Sequence, residues 1–180
     1  MNIKTYVYEY RTDRSERHEL VESAVREYMG NDSAEVLYTP KGKPYVKDSE
    51  TVFLSVTTTG EVMVVAISDK PIGIDGEYLP RMTAPQRRTD YAVMAERFFT
   101  EDEAEYVRSG DDQALRFAKV WVRKEAYVKY TGKGLSDFSN FSVYDGEHFV
   151  QTVNGVPVKR WHPSFPMSED YLFAVAGETE

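Results

Sequence analysis

Short runs of β-branched and aromatic residues recur along this chain, and they predict strands. Turn signals separate the runs, including Asp145-Gly146 and Asn154-Gly155, which are typical of hairpins. Gly76 lies inside one of the runs, so we expect a bulge there or a close backbone approach. The predicted strands are residues 3–10, 35–39, 52–58, 62–67, 72–77, 141–144, 148–153 and 171–176.

Apolar residues at helical spacing predict helices between these strands. The first helix begins at Asp13, where Glu16 completes a capping box, and it stops at Gly30. A second helix is predicted over residues 84–98. The longest helix is predicted over residues 112–130, and a glycine-rich segment ends it.

The elements follow the order strand, helix, strands, and then strand, helices, strands, which predicts an α+β fold. Because the order repeats, we expect one domain over residues 1–180 made of two pseudo-symmetric α/β halves, residues 1–70 and residues 71–180. No repeat of the sequence itself accompanies this pattern, so the duplication rests on the order of the elements alone.

Composition narrows the possible functions. The chain has 180 residues, a hydrophobic fraction of 41% and a formal net charge of −8, which argues against a general nucleic-acid binder. It contains no cysteine, which excludes disulfides, thiolate metal sites and a cysteine nucleophile. Its first residues lack the apolar core of a signal peptide, and no apolar run approaches the length of a membrane span. We therefore expect a cytoplasmic protein that binds neither nucleic acid nor membrane.

Two segments carry the candidate chemistry. Asp75 and Glu77 lie two apart on a predicted strand, so their carboxylates face the same way. Trp121, Glu125 and Lys129 lie at i, i+4 and i+8 on one helix face. If this helix crosses the end of the strand, three carboxylates and an amine would suit magnesium and phosphate. On the residues alone, the alternatives of exposed acids, a surface ion pair and a core tryptophan remain open.

Weaker candidates surround these segments. The basic turn at 41–44 suits a phosphate or an adenine ring, or is an exposed turn. The hydroxyls of residues 57–59 suit phosphate oxygens, or reflect the preference of threonine for strands. Glu103 is fully explained by a capping box with Thr100 at the start of a short helix. The histidines show no metal-ligand spacing.

The long helix also carries a basic run. Arg116, Lys119, Arg123 and Lys124 predict a solvated helix face. The net negative charge of the chain would repel an acidic partner at long range, so docking of such a partner would rely on apolar contact or on a local basic face such as Arg116, Lys119 and Arg123.

Two motifs in a fixed order resemble the 4′-phosphopantetheinyl transferases of the single-chain, surfactin-synthetase-activating (Sfp) type. The first is Gly73-Ile74-Asp75-Gly76-Glu77. The second is Trp121-Val122-Arg123-Lys124-Glu125-Ala126-Tyr127-Val128-Lys129, followed by Gly132-Lys133-Gly134-Leu135. Each motif alone is moderately specific, and together they are strongly so. The resemblance covers about residues 40–145 and includes Gly42-Lys43-Pro44.

The resemblance implies a fold of two pseudo-symmetric α/β halves with coenzyme A in the cleft between them. It implies transfer of the phosphopantetheine arm of coenzyme A to a serine of an apo acyl or peptidyl carrier protein, with magnesium. The alternatives are a non-catalytic member of this fold that binds coenzyme A or a carrier protein, and an unrelated magnesium-dependent phosphohydrolase. We also expect a monomer.

The same resemblance implies residue roles. Asp75, Glu77 and Glu125 look like the magnesium ligands, and Glu125 is also a candidate base for the serine hydroxyl. Lys129 matches a lysine that contacts the phosphate and assists departure, and Glu103 matches a further acidic residue near the metal.

The coenzyme A contacts implied are Lys43, Thr57 and Thr58. Thr58 stands where the family has a histidine, so it brings no positive charge to a phosphate. Family members carry basic residues near the N-terminus for the 3′-phosphate. The candidates in this chain are Arg11, Arg14 and Arg17.

Overall fold

The computed structural model describes residues 3–9, 14–84, 86 and 88–178. The strands are β1 (Lys4–Glu9), β2 (Val36–Tyr38), β3 (Pro44–Val46), β4 (Phe53–Thr59), β5 (Val62–Ser68), β6 (Gly73–Tyr78), β7 (Thr152–Val153), β8 (Val156–Trp161) and β9 (Tyr171–Ala176). The helices are α1 (Arg14–Met29), α2 (Leu79–Met82), α3 (Tyr91–Phe98), α4 (Glu101–Arg108) and α5 (Gln113–Thr131). The predicted mixture of helix and sheet is confirmed, whereas the predicted N-cap at Asp13 lies outside the described residues.

The strands pair antiparallel in three groups, in the orders β1-β5-β4, β2-β3 and β6-β9-β8-β7. Strand β5 is buried over its whole length because both of its faces are covered. One face, with Met63, Val65 and Ile67, packs with residues of α1. The other face, with Val62, Val64 and Ala66, packs with residues of β6 and β9. The β1-β5-β4 sheet, which we call the first sheet, therefore lies between α1 and the β6-β9-β8-β7 sheet, which we call the second sheet.

Side-chain hydroxyls join the two sheets where β4 runs beside β6. Strand β6 is the edge of its own sheet, so its outer N–H groups need acceptors from elsewhere. Alternate residues of β4 supply these acceptors, and we call the result the hydroxyl seam. Its bonds run from Ile74 N to Ser55 Oγ (3.0 Å), from Gly76 N to Thr57 Oγ1 (3.2 Å) and from Tyr78 N to Thr59 Oγ1 (2.7 Å).

Helix α5 lies directly against β6 because Gly73 has no side chain. A Cβ at this position would lie 2.0 Å from the carbonyl oxygen of Ala126 and 2.5 Å from the amide nitrogen of Tyr130. Both atoms belong to the backbone of α5, so they cannot move aside as a flexible side chain would. This contact sets the distance between the strand and the helix that carry the candidate acids.

Gly73→Ala is expected to destabilise the protein by about 3 kcal/mol, at the upper end of the cost of overpacking, because the helix backbone must shift. Chemical denaturation of the variant and of Gly155→Ala would measure it. Gly155 has open space around its Cβ position but a positive φ, so its replacement reports the cost of backbone strain alone. A loss no larger than that of Gly155→Ala would contradict the close contact.

Gly76 is not a bulge, and the group that approaches it closely is a side chain and not the backbone that was predicted. The β6–β9 register pairs Gly76 with Phe173 without interruption. A Cβ at Gly76 would lie 2.2 Å from atoms of the Phe173 ring, so the ring covers the glycine.

The prediction of a helix over residues 84–98 was wrong in its first half. Helix α3 begins only at Tyr91, since the Asp90 carboxylate accepts a hydrogen bond from Val93 N (3.0 Å) and caps the helix there. The short helix α2 was not predicted, and it starts with Pro80 in its first turn.

The predicted strands over 141–144 and 148–153 were also largely wrong. They contain one bridge, between Tyr144 and Phe149, and the two-residue strand β7. The Phe141 carbonyl accepts a hydrogen bond from Lys124 Nζ (2.6 Å), which takes a group that a strand would use for pairing. Strands β3 and β8 were missed.

The basic run on α5 is not a solvated face, and that prediction was wrong for two of its members. Arg123 is 9% exposed and its guanidinium lies 4.0 Å from the centre of the Phe149 ring. Burial and the charge of Arg160 lower the pKa of Arg123 to about 10. Lys124 is fully buried, and burial lowers its pKa against the opposing effect of Glu103.

Candidate active site

A cleft of about 440 Å³ opens between β4, β6, α5 and the turn at 41–44. The structure brings Asp75, Glu77 and Glu125 together in its wall, with Trp121 and Lys129 from the same face of α5. The strand and helix periodicities thus place these side chains as the sequence predicted. The hydroxyl seam and the Gly73 contact hold the elements that carry them.

Asp75 is the most deeply held of the three acids. It is 7% exposed, and its Oδ1 accepts hydrogen bonds from Lys129 Nζ (2.7 Å) and Thr57 Oγ1 (3.2 Å). Lys129 also donates to the Val56 carbonyl at 3.3 Å. Lys129 therefore acts as the positive partner of Asp75 and links α5 to both β4 and β6.

Glu77 and Glu125 complete the acidic wall. Glu77 pairs with Arg81 of α2, with 3.2 Å between Oε2 and Nη2. Burial, together with the negative charges of Asp75 and Glu77, raises the pKa of Glu125 to about 7 against the opposing charge of Lys129. Three acids thus share one cleft at a spacing close enough for their charges to interact.

This donor set fits a divalent cation in chemistry. Carboxylate oxygens are the ligands that magnesium prefers, and a nearby positive ion would favour the charged form of Glu125. Over the described residues, no three acidic or histidine side chains are arranged to hold a metal as they stand. The carboxylates of Asp75 and Glu77 face Lys129 and Arg81 instead, so binding a cation would require these pairs to rearrange.

Magnesium binding by the protein is expected to strengthen as the pH rises through about 7. The raised pKa of Glu125 means that its carboxyl is largely neutral at pH 6 and charged at pH 8, and only the charged form binds a cation. Calorimetry at pH 7 in two buffers of different ionisation enthalpy should show release of a proton on binding. Glu125→Gln should show no such release, and a pH-independent affinity in the unchanged protein would contradict the assignment.

The basic turn also contributes to the cleft, since residues 41–44 line it. Lys43 Nζ donates to the Tyr130 carbonyl (3.0 Å) near the C-terminal end of α5, where a positive charge is favourable. Burial lowers the pKa of Lys43. Of the three donor hydrogens on this ammonium, the bond to Tyr130 uses one.

Arg17 of α1 lies in the same cleft, and no sequence pattern distinguished it from Arg11 and Arg14. Its Nε is buried, with no hydrogen-bond partner among the described residues. Arg11 lies outside the described residues, as does the side chain of Arg14. The packing of α1 places Arg17 beside Tyr38 and the basic turn. No local sequence signal could have shown this, because it depends on the folded arrangement.

The two threonines differ in what they contact. Thr58 is exposed in the cleft. Thr57 also lines the cleft, but its hydroxyl accepts from Gly76 N and donates to Asp75 Oδ1. Because a hydroxyl carries one proton, Thr57 has none left to donate to a phosphate in this arrangement.

The structure does not bring Glu103 to this cleft. Glu103 is fully buried, and its Oε2 lies 2.8 Å from Lys124 Nζ. Its carboxylate accepts from Thr100 N (3.0 Å), which forms the predicted capping box, and from Val143 N (2.7 Å). Glu103 therefore joins α4 and α5 to the segment that follows α5.

Trp121 is both core and cleft wall. It stacks on Phe117 at a ring distance of 5.4 Å and meets Phe138 edge to face at 5.3 Å. It also lines the cleft beside Leu135, which follows the left-handed Gly132 at the end of α5. The core position expected for Trp121 is therefore confirmed, and a contact of its ring with a ligand in the cleft stays a prediction.

The basic residues Arg116, Lys119 and Arg123 do not face the cleft. At 100° per residue, Lys119 and Arg123 lie on the side of α5 away from Glu125 and Lys129. A partner docked on them would be separated from the acids by the helix itself.

In the described part of the chain, no helix is long and apolar enough to cross a membrane.

Comparison with known proteins identifies a family whose members resemble this chain in sequence. The family described as the 4′-phosphopantetheinyl transferase superfamily matches residues 71–176. A 4′-phosphopantetheinyl transferase of Bacillus subtilis is 31% identical over 144 residues, which are 76% of this chain and 61% of that protein. The transferase psf-1 of Bacillus pumilus is 36% identical over 97 residues, which are 53% of this chain and 38% of that protein.

The transferase Sfp of Bacillus subtilis strain 168 is 28% identical over 129 residues, which are 69% of this chain and 54% of that protein. The chain thus spans less than two thirds of the length of each of these relatives.

Proposed function

Because the chain belongs to the 4′-phosphopantetheinyl transferase superfamily, we propose that it transfers the phosphopantetheine arm of coenzyme A to a serine of an apo acyl or peptidyl carrier protein. The observation that carries the proposal is the single cleft that gathers Asp75, Glu77, Glu125 and Lys129 with a basic turn. An acidic wall beside basic residues suits a cation together with a pyrophosphate.

In this reaction the serine oxygen forms a bond to the β-phosphorus of coenzyme A, and the bond from that phosphorus to the bridging oxygen breaks. The products are the phosphopantetheinylated serine and adenosine 3′,5′-bisphosphate. Glu125, with its pKa near 7, takes the serine proton directly or through a water molecule. Lys129 moves its positive charge from Asp75 to the leaving phosphate.

Asp75, Glu77 and Glu125 would hold a magnesium ion. When bound, the ion neutralises charge on the pyrophosphate. At the other end of the cleft, Lys43 and Thr58 contact the nucleotide portion of coenzyme A, and Arg17 adds a positive charge to that region. Thr57, which was expected to contact coenzyme A, also lines the cleft, but its hydroxyl is engaged with Asp75. Glu103 remains in the proposal as a residue that supports α5 from behind.

The proposal includes an organisation of one domain with two pseudo-symmetric halves. Its support is that α1 packs on the first sheet and α5 on the second, with the cleft at the junction. The cytoplasmic location and monomeric state expected from the sequence also remain proposals.

The decisive experiment is intact-mass analysis of an apo carrier protein incubated with this protein, coenzyme A and magnesium. Parallel reactions contain a chelator in place of magnesium, or omit the protein. A magnesium-dependent gain of one phosphopantetheine arm on the serine supports the proposal. Binding of coenzyme A without any gain, across acyl and peptidyl carriers, would select the non-catalytic alternative. Phosphoester hydrolysis without a carrier would select the phosphohydrolase.

A further inference from the structure

One residue of the hydroxyl seam makes a further hydrogen bond that is not one of the three seam bonds. Ser55, Thr57 and Thr59 each accept from an N–H of β6. Of these three residues, Thr57 also donates a hydrogen bond to a carboxylate, with 3.2 Å between its Oγ1 and Asp75 Oδ1. The directions of both bonds are fixed, because an amide can only donate and an ionised carboxylate can only accept.

Two hydrogen bonds therefore fix the orientation of the Thr57 hydroxyl. Gly76 N holds the oxygen, and Asp75 Oδ1 receives the proton. Residues 75 and 76 are neighbours on one strand, so Thr57 ties the Asp75 side chain to the backbone of its own strand. A residue 7% exposed and tied in this way has few orientations available to its carboxylate.

Lys129 and Thr57 share the same oxygen of Asp75. Both donate to Oδ1, at 2.7 Å and 3.2 Å, and within the described residues no hydrogen bond reaches Oδ2. Oδ2 is thus the oxygen left for a cation. When Lys129 turns to a phosphate, Thr57 is the donor that still holds Oδ1 in place.

We propose that Thr57 is a positioning residue that orients Asp75 for the divalent cation, and that it does not donate to coenzyme A. This inference rests on the proposed function, because it assumes a cation at Asp75. Hydrogen-bond partners of a ligating carboxylate typically change metal affinity by about 10–100-fold when they are removed. Thr57 has this relation to Asp75, whereas Thr59 has only the bond to the strand.

The test compares Thr57→Val, Thr57→Ser and Thr59→Val in the full chain. Valine keeps the shape of threonine without the hydroxyl, and serine keeps the hydroxyl without the methyl group. The probe is magnesium alone, added while the backbone amide resonances of β6 are followed by NMR, which measures affinities into the millimolar range. Urea denaturation of the same variants measures how much each hydroxyl contributes to the fold.

We expect Thr59→Val to lower the urea midpoint by the loss of one seam bond, and Thr57→Val to lower it at least as much, since that variant loses a seam bond and the bond to Asp75. Thr57→Val should weaken magnesium binding by about tenfold. Thr59→Val should leave it within about twofold, and Thr57→Ser should restore it close to the original value. Equal weakening by both valine variants would assign the effect to the seam and overturn the inference. Absence of magnesium binding in the unchanged protein would overturn the metal in the proposed function and this inference with it.

The same variants separate positioning from contact with coenzyme A. If Thr57 orients Asp75, Thr57→Val raises the magnesium concentration needed for half-maximal transfer and leaves the dissociation constant of coenzyme A, measured without magnesium, unchanged. A weaker affinity for coenzyme A under these metal-free conditions would instead make Thr57 a direct contact and overturn the inference.

Discussion

Glu125→Gln is expected to lower the rate of phosphopantetheine transfer by about a thousandfold, within the range for loss of a general base and a metal ligand. The amide cannot accept the serine proton, and it removes one negative charge from the acidic wall of the cleft. Initial rates at saturating coenzyme A, with carrier modification followed by intact mass, would measure the loss. Glu147→Gln is the matched control, since the Glu147 side chain is 85% exposed and lies outside the cleft.

The same substitution is expected to stabilise the fold at alkaline pH. The pKa of Glu125 is raised from 4.5 to about 7, so the native state disfavours the charged form and loses stability as the pH rises between these values. Glutamine carries no such cost. The melting temperature of Glu125→Gln should therefore exceed that of the unchanged protein at pH 8 and match it at pH 4.5 or below. A variant that is less stable at pH 8 would show that the rate loss reflects damage to the fold.

Glu103→Gln is expected to destabilise the protein by about 3–5 kcal/mol, the cost of leaving a buried charge without its partner. Glu103 and Lys124 are both fully buried and lie 2.8 Å apart. Lys124 also donates to the carbonyls of Phe138 (2.7 Å) and Phe141 (2.6 Å), which accept two of its three hydrogens but do not neutralise its charge. Urea denaturation at pH 7 would measure the change.

The double variant Glu103→Gln/Lys124→Met tests whether Glu103 and Lys124 stabilise the fold as a pair. Because it leaves no unpaired charge, it should be more stable than Glu103→Gln alone, with a coupling energy that the double-mutant cycle reports. If the effects of the two single substitutions on the free energy of unfolding simply add, the two groups do not act as a pair. Transfer measured on the folded double variant also tests the role of Glu103, since a rate loss comparable to that of Glu125→Gln would return it to the catalytic residues.

The site was readable from sequence where it rests on local periodicity. The alternation of a strand put Asp75 and Glu77 on one face, and the spacing of a helix aligned Trp121, Glu125 and Lys129. The capping box at Glu103 was equally local. These relations depend only on residues a few positions apart, so they survive whatever the rest of the chain does.

The sequence failed where a distant partner decides the outcome. Lys124 sits in a run of basic residues that suggests solvent, and it is buried because Glu103, some twenty positions earlier, meets it in the core. Residues 141–144 have strand-like composition, yet the Phe141 carbonyl is taken by that same lysine. Arg17 reaches the cleft only through the packing of α1, which no local pattern encodes.

The joint between the two sheets has an evolutionary consequence. Backbone pairing hardly depends on which residues form it, so it can be lost only by disrupting a strand. The hydroxyl seam depends on the identity of Ser55, Thr57 and Thr59. Each bond is worth on the order of 1 kcal/mol, and a single nucleotide change can remove or restore one. A substitution at any one of these three positions can therefore weaken the attachment of one sheet to the other while both sheets keep their own backbone hydrogen bonds.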